Sequence, residues 1–193
     1  MSMTTTTLGP FTVADLLRMR EETDDRLELI DGEVFVVPSP NEGHQTSSAL
    51  LVHAFVEQIT LRGRGRVYHA PFDLRLGDGR VVQPDLLVIV PGDAVSVRPD
   101  GVYGRPSLVV EIVSPTSRVQ DLRRKRALYA DAGIPEYWLV DPALRSVVVL
   151  TDPADGDYRS ERVSNEGDTV RSVTIPDVEI AVARLFPPPF QGA

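Results

Sequence analysis

Two almost wholly apolar segments constrain the fold of this chain more than any other feature. They read PDLLVIV, residues 84–90, and SLVVEIV, residues 107–113. A strand whose side chains are apolar on both faces is expected at the centre of a sheet, covered on each side. The two segments therefore predict the middle of a layered fold.

Helical and strand patterns alternate around these two segments. Thr12 is expected to cap a short opening helix, and RLELIDGEVFVVPSP predicts a β-hairpin that turns at Asp31-Gly32. Apolar spacing predicts helices over 45–61 and 119–132. Further strands are expected in RVYHA, PFDLRL, EYWLVD and SVVVL, whereas Pro, Gly and Asp predict a loop over 91–106.

This order of elements predicts an α/β fold with a mixed β-sheet flanked by α-helices, an N-terminal β-hairpin and a C-terminal β extension. The length of 193 residues suits one domain. We expect residues 1–10 to be a disordered lead-in, 11–150 the core domain, and 151–193 a peripheral β extension and tail.

Composition excludes several kinds of site. The chain has no cysteine, so disulfides, thiolate nucleophiles and cysteine-bound zinc are excluded. We expect a cytoplasmic protein, because no apolar run reaches the length of a membrane span and the first residues lack the pattern of a secretory signal.

A carboxylate interrupts each of the two apolar strands. Asp85 follows Pro84 at the start of the first, and Glu111 lies between Val110 and Ile112 in the second. A buried carboxylate must protonate, pair or bind a cation. Each acid alone could cap a turn or form a structural pair, but two on neighbouring strands suit Mg²⁺, which takes oxygen ligands and keeps several waters.

Lys125 is the only lysine, since the other 19 of the 20 basic residues are arginine. Lysine provides a compact point charge that can also release its proton, which arginine does not, although one lysine could also survive by chance. Helical spacing puts Lys125 and Tyr129 on the face turned toward the sheet. There Lys125 could extend along apolar surface, pair with Asp121, or reach the two carboxylates.

Together these motifs resemble the putative restriction endonuclease family of the restriction-endonuclease-like, PD-(D/E)XK, nuclease superfamily. The resemblance rests on Pro84-Asp85, VVEIVSPTS around Glu111, Lys125 and GIPEYWLVD, in that order over residues 26–150. LELIDGEV and His44 after SPNEG also fit the family pattern. The superfamily lysine would fall at Val113, and Lys125 matches the helix position that is thought to substitute for it.

The resemblance implies a metal-dependent endonuclease that hydrolyses DNA phosphodiester bonds. Asp85 and Glu111 would hold Mg²⁺, for which Mn²⁺ can substitute, and Lys125 would stabilise the transition state or orient the attacking water. We expect Glu33 and His44 to have accessory roles. Their alternatives are an exposed hairpin residue and a helix-start residue.

A basic cluster at and just before the predicted helix 119–132 could contact the phosphate backbone of DNA, although such clusters are more often solvated helix faces. Its members are Arg118, Arg123 and Arg124. The net charge of −8 does not favour general nucleic-acid binding, so a non-catalytic interaction module with the nuclease fold is the alternative. A two-carboxylate glycosidase fits poorly because aromatic residues are few. A homodimer is plausible, since two cuts on opposite strands need two active sites.

Overall fold

The structure, a computed structural model, describes residues 10–114 and 120–188. It contains two six-stranded sheets, a small two-stranded sheet and few helices. The helices are α1 (Val13–Glu21), α2 (Glu42–Phe55) and α3 (Arg126–Asp131), with π-helical segments at Val56–Thr60 and Gln120–Lys125 and a 3₁₀ turn at Val182–Leu185.

The first sheet has the strand order β2-β1-β5-β4-β8-β7. Its strands are β1 (Arg26–Ile30), β2 (Glu33–Val37), β4 (Leu74–Arg75), β5 (Val81–Val82), β7 (Ala94–Arg98) and β8 (Gly101–Arg105). The predicted hairpin forms β1 and β2, with Asp31 and Gly32 at positive φ in its turn. Thr12 caps α1 as predicted, since its side chain accepts a hydrogen bond from the amide of Asp15.

The second sheet has the strand order β12-β11-β10-β9-β6-β3. Its strands are β3 (Arg66–His69), β6 (Leu86–Ile89), β9 (Leu108–Ile112), β10 (Glu136–Asp141), β11 (Ser146–Ala154) and β12 (Asp157–Asn165). β9 and β10 are parallel, and the connection between them includes α3. A parallel pair requires such a crossover, so this unit fixes α3 against one face of the sheet.

Both faces of the second sheet are covered, as its apolar strands predicted. One face packs against α2 and C-terminal residues such as Ile180 and Leu185. The other face packs against α3 and against side chains of the first sheet. The mixed α/β architecture is confirmed, with the difference that the strands divide between two sheets rather than forming one.

The prediction of a loop over 91–106 is wrong. Most of this segment forms the β7–β8 hairpin, in which Val97 pairs with Val102. The turn-forming residues bracket two short strands instead of filling a loop. Gly104 belongs to this pairing at φ 109°, where a Cβ atom would lie 2.2 Å from the carbonyl oxygen of Ala94, so only glycine allows the two backbones to approach.

The helix predicted at 45–61 begins earlier, at Glu42. Asn41 caps it, because its side chain accepts a hydrogen bond from the amide of His44. The first turn of α2 therefore carries His44 toward the sheet. The helix predicted at 119–132 is π-helical from Gln120 to Lys125 and α-helical from Arg126.

The C-terminal β extension consists of β12 and a small sheet of β13 (Thr169–Arg171) and β14 (Glu179–Ala181). Glu136 at the start of β10 ties this extension to the core. Its fully buried carboxylate accepts hydrogen bonds from Trp138 Nε1, from the amide and hydroxyl of Thr174, and from the hydroxyl of Ser172. No helix among residues 10–114 and 120–188 is both long and apolar enough to cross a lipid bilayer.

Candidate active site

Asp85 and Glu111 come together through the register of β6 and β9. These strands are antiparallel and pair Leu86 with Val110, so the next step along the ladder sets Asp85 opposite Glu111. Residues directly opposite each other direct their side chains to the same face of a sheet. The amide of Ile112 donates to Asp85 Oδ2 at 2.7 Å, which holds this acid at the strand end.

Lys125 lies on the sheet-facing side of its helix, as predicted. Its Nζ atom is 2.9 Å from Glu111 Oε1 and 3.1 Å from Glu28 Oε1, and its residue is only 4% exposed. Tyr129, four residues later, donates its hydroxyl to the same oxygen of Glu111 at 2.7 Å. The helical spacing of four residues thus directs an ammonium and a phenol at one carboxylate.

Burial controls the ionisation of Tyr129. Loss of hydration first, and the negative charge of Glu111 second, raise the pKa of its phenol well above 10.0. The hydroxyl therefore stays protonated near neutral pH and remains a hydrogen-bond donor. Arg123 and Arg124, which precede Lys125 in the helical segment, are both exposed.

Glu28 belongs to this cluster, although the sequence argument did not assign it a role. It lies in β1, is fully buried, and accepts a hydrogen bond from the amide of Gln83 at 2.7 Å through Oε1. Its other oxygen, Oε2, is buried without a hydrogen-bond partner among the described residues. The sequence did contain a signal, because Glu28 lies between Leu27 and Leu29 as Glu111 lies between Val110 and Ile112.

A series of hydrogen bonds connects Glu28 to α1. The side chain of Gln83 donates to Asp73 at 2.8 Å, and Arg20 of α1 donates to both oxygens of Asp73. Arg26 donates to the side-chain oxygen of Gln83 at 3.1 Å. These contacts link the opening helix to the acidic cluster through paired, part-buried groups.

His44 reaches the site from the first turn of α2. Its Nε2 atom lies 3.1 Å from Asp85 Oδ2, and since a carboxylate only accepts, Nε2 carries the proton in this contact. Its Nδ1 atom is buried without a hydrogen-bond partner in the described part of the chain. His44 therefore contacts one of the two predicted metal-holding acids.

The other predicted accessory and DNA-binding residues do not join this cluster. Glu33 is exposed at the turn end of the hairpin, where it pairs with Ile30. The end of the hairpin that lies at the site is the one where Arg26 pairs with Val37. Glu33 is four residues from Val37 along β2, a distance of about 13 Å. Arg124 lies over the ring of Phe35 at 4.2 Å, and Arg118 falls outside the described residues.

The three acids line a narrow cavity of about 40 Å³, which we call the inner cavity. A space of this size holds a water or a small ion. Its charged lining comprises Glu28, Asp85 and Glu111 against Lys125 and Arg26. His44 also lines the cavity; apart from this imidazole, three carboxylates face two cationic side chains. Oε2 of Glu28 has no hydrogen-bond partner among the described residues, so the lining suits a cation.

The described residues contain no group of three or more acidic or imidazole side chains close enough to form a preassembled metal cage. Mg²⁺ does not require one, because it binds through one or two carboxylates and retains several waters. The donor set of Asp85 and Glu111, with the unpartnered oxygen of Glu28 nearby, therefore fits a hard divalent cation.

A family model described as "Uma2: Putative restriction endonuclease" matches residues 13–183. The chain belongs to this family. The match extends beyond the motif-bearing segment, residues 26–150, at both ends. The sequence argument thus identified the family correctly.

The fold is also that of a solved nuclease-like protein. The crystal structure of a putative nuclease belonging to DUF820 from Anabaena variabilis superposes with a TM-score of 0.75, at 18% identity, over 92% of this chain and 98% of that one. This likeness shows that the two proteins share a fold, and it agrees with the predicted mixed α/β architecture. The type IIG restriction endonuclease BpuSI also matches, with a TM-score of 0.41 and 18% identity over 77% of this chain but 17% of that protein. No curated protein matches the sequence.

Proposed function

We propose that this protein is a divalent-metal-dependent endonuclease that hydrolyses phosphodiester bonds of DNA. One observation carries the proposal: a buried lysine contacts Glu111 in a cavity that Asp85 also lines. This acid–acid–lysine set occurs in a chain whose family carries the description "Putative restriction endonuclease". Lys125 supplies the lysine that Val113 cannot.

Asp85 and Glu111 would hold the cation, Mg²⁺ or Mn²⁺. When bound, the cation would polarise the phosphoryl group and lower the pKa of a bound water. The sheet register keeps both acids on one face, so neither must move far to share a ligand. Glu28, which lines the same cavity, adds a negative charge and a buried oxygen, Oε2, that has no hydrogen-bond partner among the described residues.

Hydrolysis adds water across one P–O bond, so the hydroxyl joins phosphorus and a proton reaches the leaving oxygen. Lys125 would stabilise the negative charge that develops on the phosphoryl oxygens, or orient the attacking water. Tyr129 keeps Glu111 directed at the ammonium. His44 keeps one oxygen of Asp85 occupied, which limits the directions from which that acid can bind another group.

Arg123 and Arg124 are the described candidates for contact with the DNA backbone. Both are exposed, and the stacking of Arg124 on Phe35 holds its guanidinium near the hairpin that lines the cavity. Such contacts would compensate locally for the acidic net charge. Cleavage of both strands in one binding event would require two active sites, so the proposal includes a homodimer for double-strand cuts.

Cleavage of supercoiled plasmid DNA with Mg²⁺ or Mn²⁺ tests the proposal. The variants are Asp85→Asn and Lys125→Met. Asp78→Asn is the exposed control of the first change, and Arg162→Met, which likewise replaces an exposed cation by methionine, is the control of the second. We expect the two site variants to lose about 10²-fold or more of the nicking rate, as when a single transition-state contact is removed. The controls should retain the wild-type rate.

The products distinguish one copy from two, because independent nicks give open circles first whereas a dimer gives linear DNA directly. Metal-independent cleavage, or full activity in Asp85→Asn, would refute the proposal. If pure protein binds DNA but cuts none with either metal, the chain is a nuclease-fold interaction module.

A further inference from the structure

One edge of the first sheet ends in β2, which pairs with β1 alone. The two residues of its hairpin turn both have positive φ, the geometry of a two-residue turn, so the flanking pair of Ile30 and Glu33 exchanges both backbone hydrogen bonds. Bonded and non-bonded pairs alternate from there along antiparallel strands. Val34 and Val36 therefore direct their amides and carbonyls away from β1.

A contact of β1 supports this alternation. Leu27 is opposite Val36, and its carbonyl oxygen accepts hydrogen bonds from Arg20 of α1, so this carbonyl is not directed at β2. On the outer side, no described residue bonds to the backbone of Val34 or Val36. Two amides and two carbonyls of β2 are thus open to a partner strand.

The side chains of β2 lack the features that usually protect an exposed edge. Val34, Phe35, Val36 and Val37 form an uncharged run, and Val36 is 57% exposed. Edge strands of natural proteins are commonly protected by charges, prolines or bulges, because an open apolar edge pairs with other strands. In β2 the only charge is that of Glu33, at its first residue. This edge is therefore suited to pairing with another chain.

The other three edges of the two large sheets are less suited. β3 has only four residues and begins with Arg66. β7 ends with Arg98, and the amide of Val95, which the β7–β8 register turns outward, already donates to the carbonyl of Asp93 at 2.9 Å. β12 carries three charges along its length, on Arg159, Glu161 and Arg162.

The open edge is complementary to itself. When two copies of β2 pair antiparallel about Phe35, Val34 of each copy lies opposite Val36 of the other. Their outward amides and carbonyls then form four hydrogen bonds, and Phe35 faces its own copy in a non-bonded pair, where side chains approach most closely. Glu33 lies opposite Val37, so no like charges meet. A second copy of this chain therefore satisfies the edge.

Such pairing sets both inner cavities on one side. Phe35 is directly opposite Glu28, so both lie on the face of the first sheet that lines the inner cavity. The two-fold axis keeps this face on the same side in both copies, with the Cα atoms of the two Glu28 residues about 15 Å apart. The major groove of DNA is roughly 12 Å wide, so this spacing is on the scale of one duplex.

The proposed DNA contacts fall beside the same axis. Arg124 lies over the ring of Phe35 at 4.2 Å, and Phe35 is the residue at the axis. The pairing therefore places one Arg124 on each side of the axis. A duplex that crosses the axis would meet both guanidinium groups as well as both cavities.

We propose that β2 is the dimer interface of this protein, and that two copies join their first sheets through antiparallel β2 strands centred on Phe35. This assignment rests on the proposed function, which needs two active sites for a double-strand cut, and it names the surface that supplies the second. One strand pair is small beside the roughly 800 Å² per partner of a standard interface. Bound duplex DNA should therefore strengthen the dimer.

The test is sedimentation velocity of the full chain over a concentration series, alone and with a short duplex in Ca²⁺. Val36→Pro removes an outward amide that the β1–β2 ladder does not use, so the hairpin is kept while two of the four bonds between copies are lost. Val97→Pro is the matched control, because Val97 has the same outward position in the opposite edge strand, β7.

We expect wild type and Val97→Pro to form a dimer, more tightly with the duplex. In Val36→Pro the dimer dissociation constant should rise about tenfold or more, as expected for two lost hydrogen bonds. A wild type that stays monomeric with and without the duplex, or a Val36→Pro variant that dimerises as wild type does, would overturn the inference.

Cross-linking tests the register itself, since the chain has no cysteine. Phe35→Cys places a single thiol at the two-fold axis, and Ser96→Cys places one at the middle of β7. Under mild oxidation we expect a disulfide-linked dimer of Phe35→Cys to form about tenfold faster or more, since only the first pair of thiols is held opposite each other. Equal rates, or a faster reaction of Ser96→Cys, would contradict the assignment.

Plasmid cleavage separates this inference from the proposed nuclease function. With Mn²⁺, Val36→Pro should still nick plasmid but accumulate open circles, whereas wild type gives linear DNA directly. A β2-dependent dimer that cuts no DNA would keep the interface and refute the nuclease. Direct linear product from Val36→Pro would keep the nuclease and refute the interface.

Discussion

Asp85 lies beside Glu111 because it directly precedes β6, whose Leu86 pairs with Val110 of β9, and the amide of Ile112 donates to Asp85 Oδ2 at 2.7 Å. The two acids are therefore positioned by the hydrogen-bond ladder of a buried sheet. A site built on strands keeps its geometry better than one built on loops.

Asp85→Asn should remove metal binding without unfolding the protein. The asparagine oxygen can still accept from the amide of Ile112, but the negative charge is lost. We expect the affinity for Mn²⁺ to fall by about tenfold or more, measured by titration calorimetry, with a melting temperature close to that of wild type. Unchanged Mn²⁺ affinity would exclude Asp85 as a ligand.

Tyr129→Phe should disturb Glu111 while preserving the packing of the ring. The ring packs edge-on against Tyr137 at a centroid distance of 5.0 Å, which phenylalanine can reproduce. Loss of the hydrogen bond to the carboxylate should cost about 1.5–3 kcal/mol of folding free energy, measured by urea unfolding, and should weaken Mn²⁺ binding.

Tyr158→Phe is the matched control for this change. Tyr158 is also buried, but its hydroxyl donates to the carbonyl oxygen of Ile134 at 3.0 Å, away from the acids. We expect a smaller loss of stability, about 1 kcal/mol, and wild-type Mn²⁺ affinity. If both variants change metal binding equally, Tyr129 has no special role in holding Glu111.

Lys125→Met should destabilise the fold because it leaves Glu28 and Glu111 buried without the ammonium that contacts both. Breaking a buried ion pair from one side costs about 3–5 kcal/mol. Adding Glu28→Gln removes one of the two unpaired charges. The double variant should therefore lose less unfolding free energy than the sum of the losses in the two single variants. Urea unfolding of the four proteins gives the coupling, and strict additivity would contradict it.

Glu136→Gln should destabilise the C-terminal extension without affecting the inner cavity. Glu136 accepts hydrogen bonds from neutral donors of Trp138, Ser172 and Thr174. In the variant, the glutamine NH₂ group is itself a donor and would face one of these donors without forming a hydrogen bond. A buried donor left unsatisfied costs about 1–3 kcal/mol. Hydrogen exchange should report early opening of residues 172–181, and Mn²⁺ affinity should remain that of wild type.

Alkaline pH should destabilise the protein through its buried tyrosines. Burial raises the pKa of both Tyr129 and Tyr158 above the ordinary 10.0. The folded pKa lies above the unfolded one, so the stabilisation is complete below about pH 10 and falls as pH rises and the unfolded chain alone releases protons. The free energy of unfolding, measured across this range, should fall with pH, and less steeply in Tyr129→Phe.

The sequence singled out the two acids because each interrupts an apolar strand, and Lys125 because it is the only lysine and falls on the sheet-facing side of its predicted helix. Asp85, Glu111 and Lys125 are all buried, as that reasoning required. The same reasoning applies to Glu28, which was missed because the alternation of β1 resembled that of a hairpin with one face in solvent. Four of the five β1 residues are in fact buried, since β1 is covered on both faces.

The division into two sheets could not be predicted from local patterns. It depends on pairings between very short strands far apart in sequence, such as Leu74 of β4 with Val102 of β8. A two-residue strand has almost no periodicity of its own. Likewise, the position of His44 depends on Asn41 starting α2 three residues before the apolar spacing begins.

Lys125 and Tyr129 are fixed to each other by one turn of helix and fixed to the sheet by a shared contact with Glu111. The position of the Lys125 ammonium group therefore does not depend on the number of residues between Glu111 and Lys125. It would depend on that number if both residues belonged to one strand. We therefore expect chains that differ in length between Ser114 and Gln120 to keep the contact of Lys125 with Glu111. A motif search with fixed spacing would overlook such chains, whereas a search for a lysine four residues before a tyrosine on the next helix would find them.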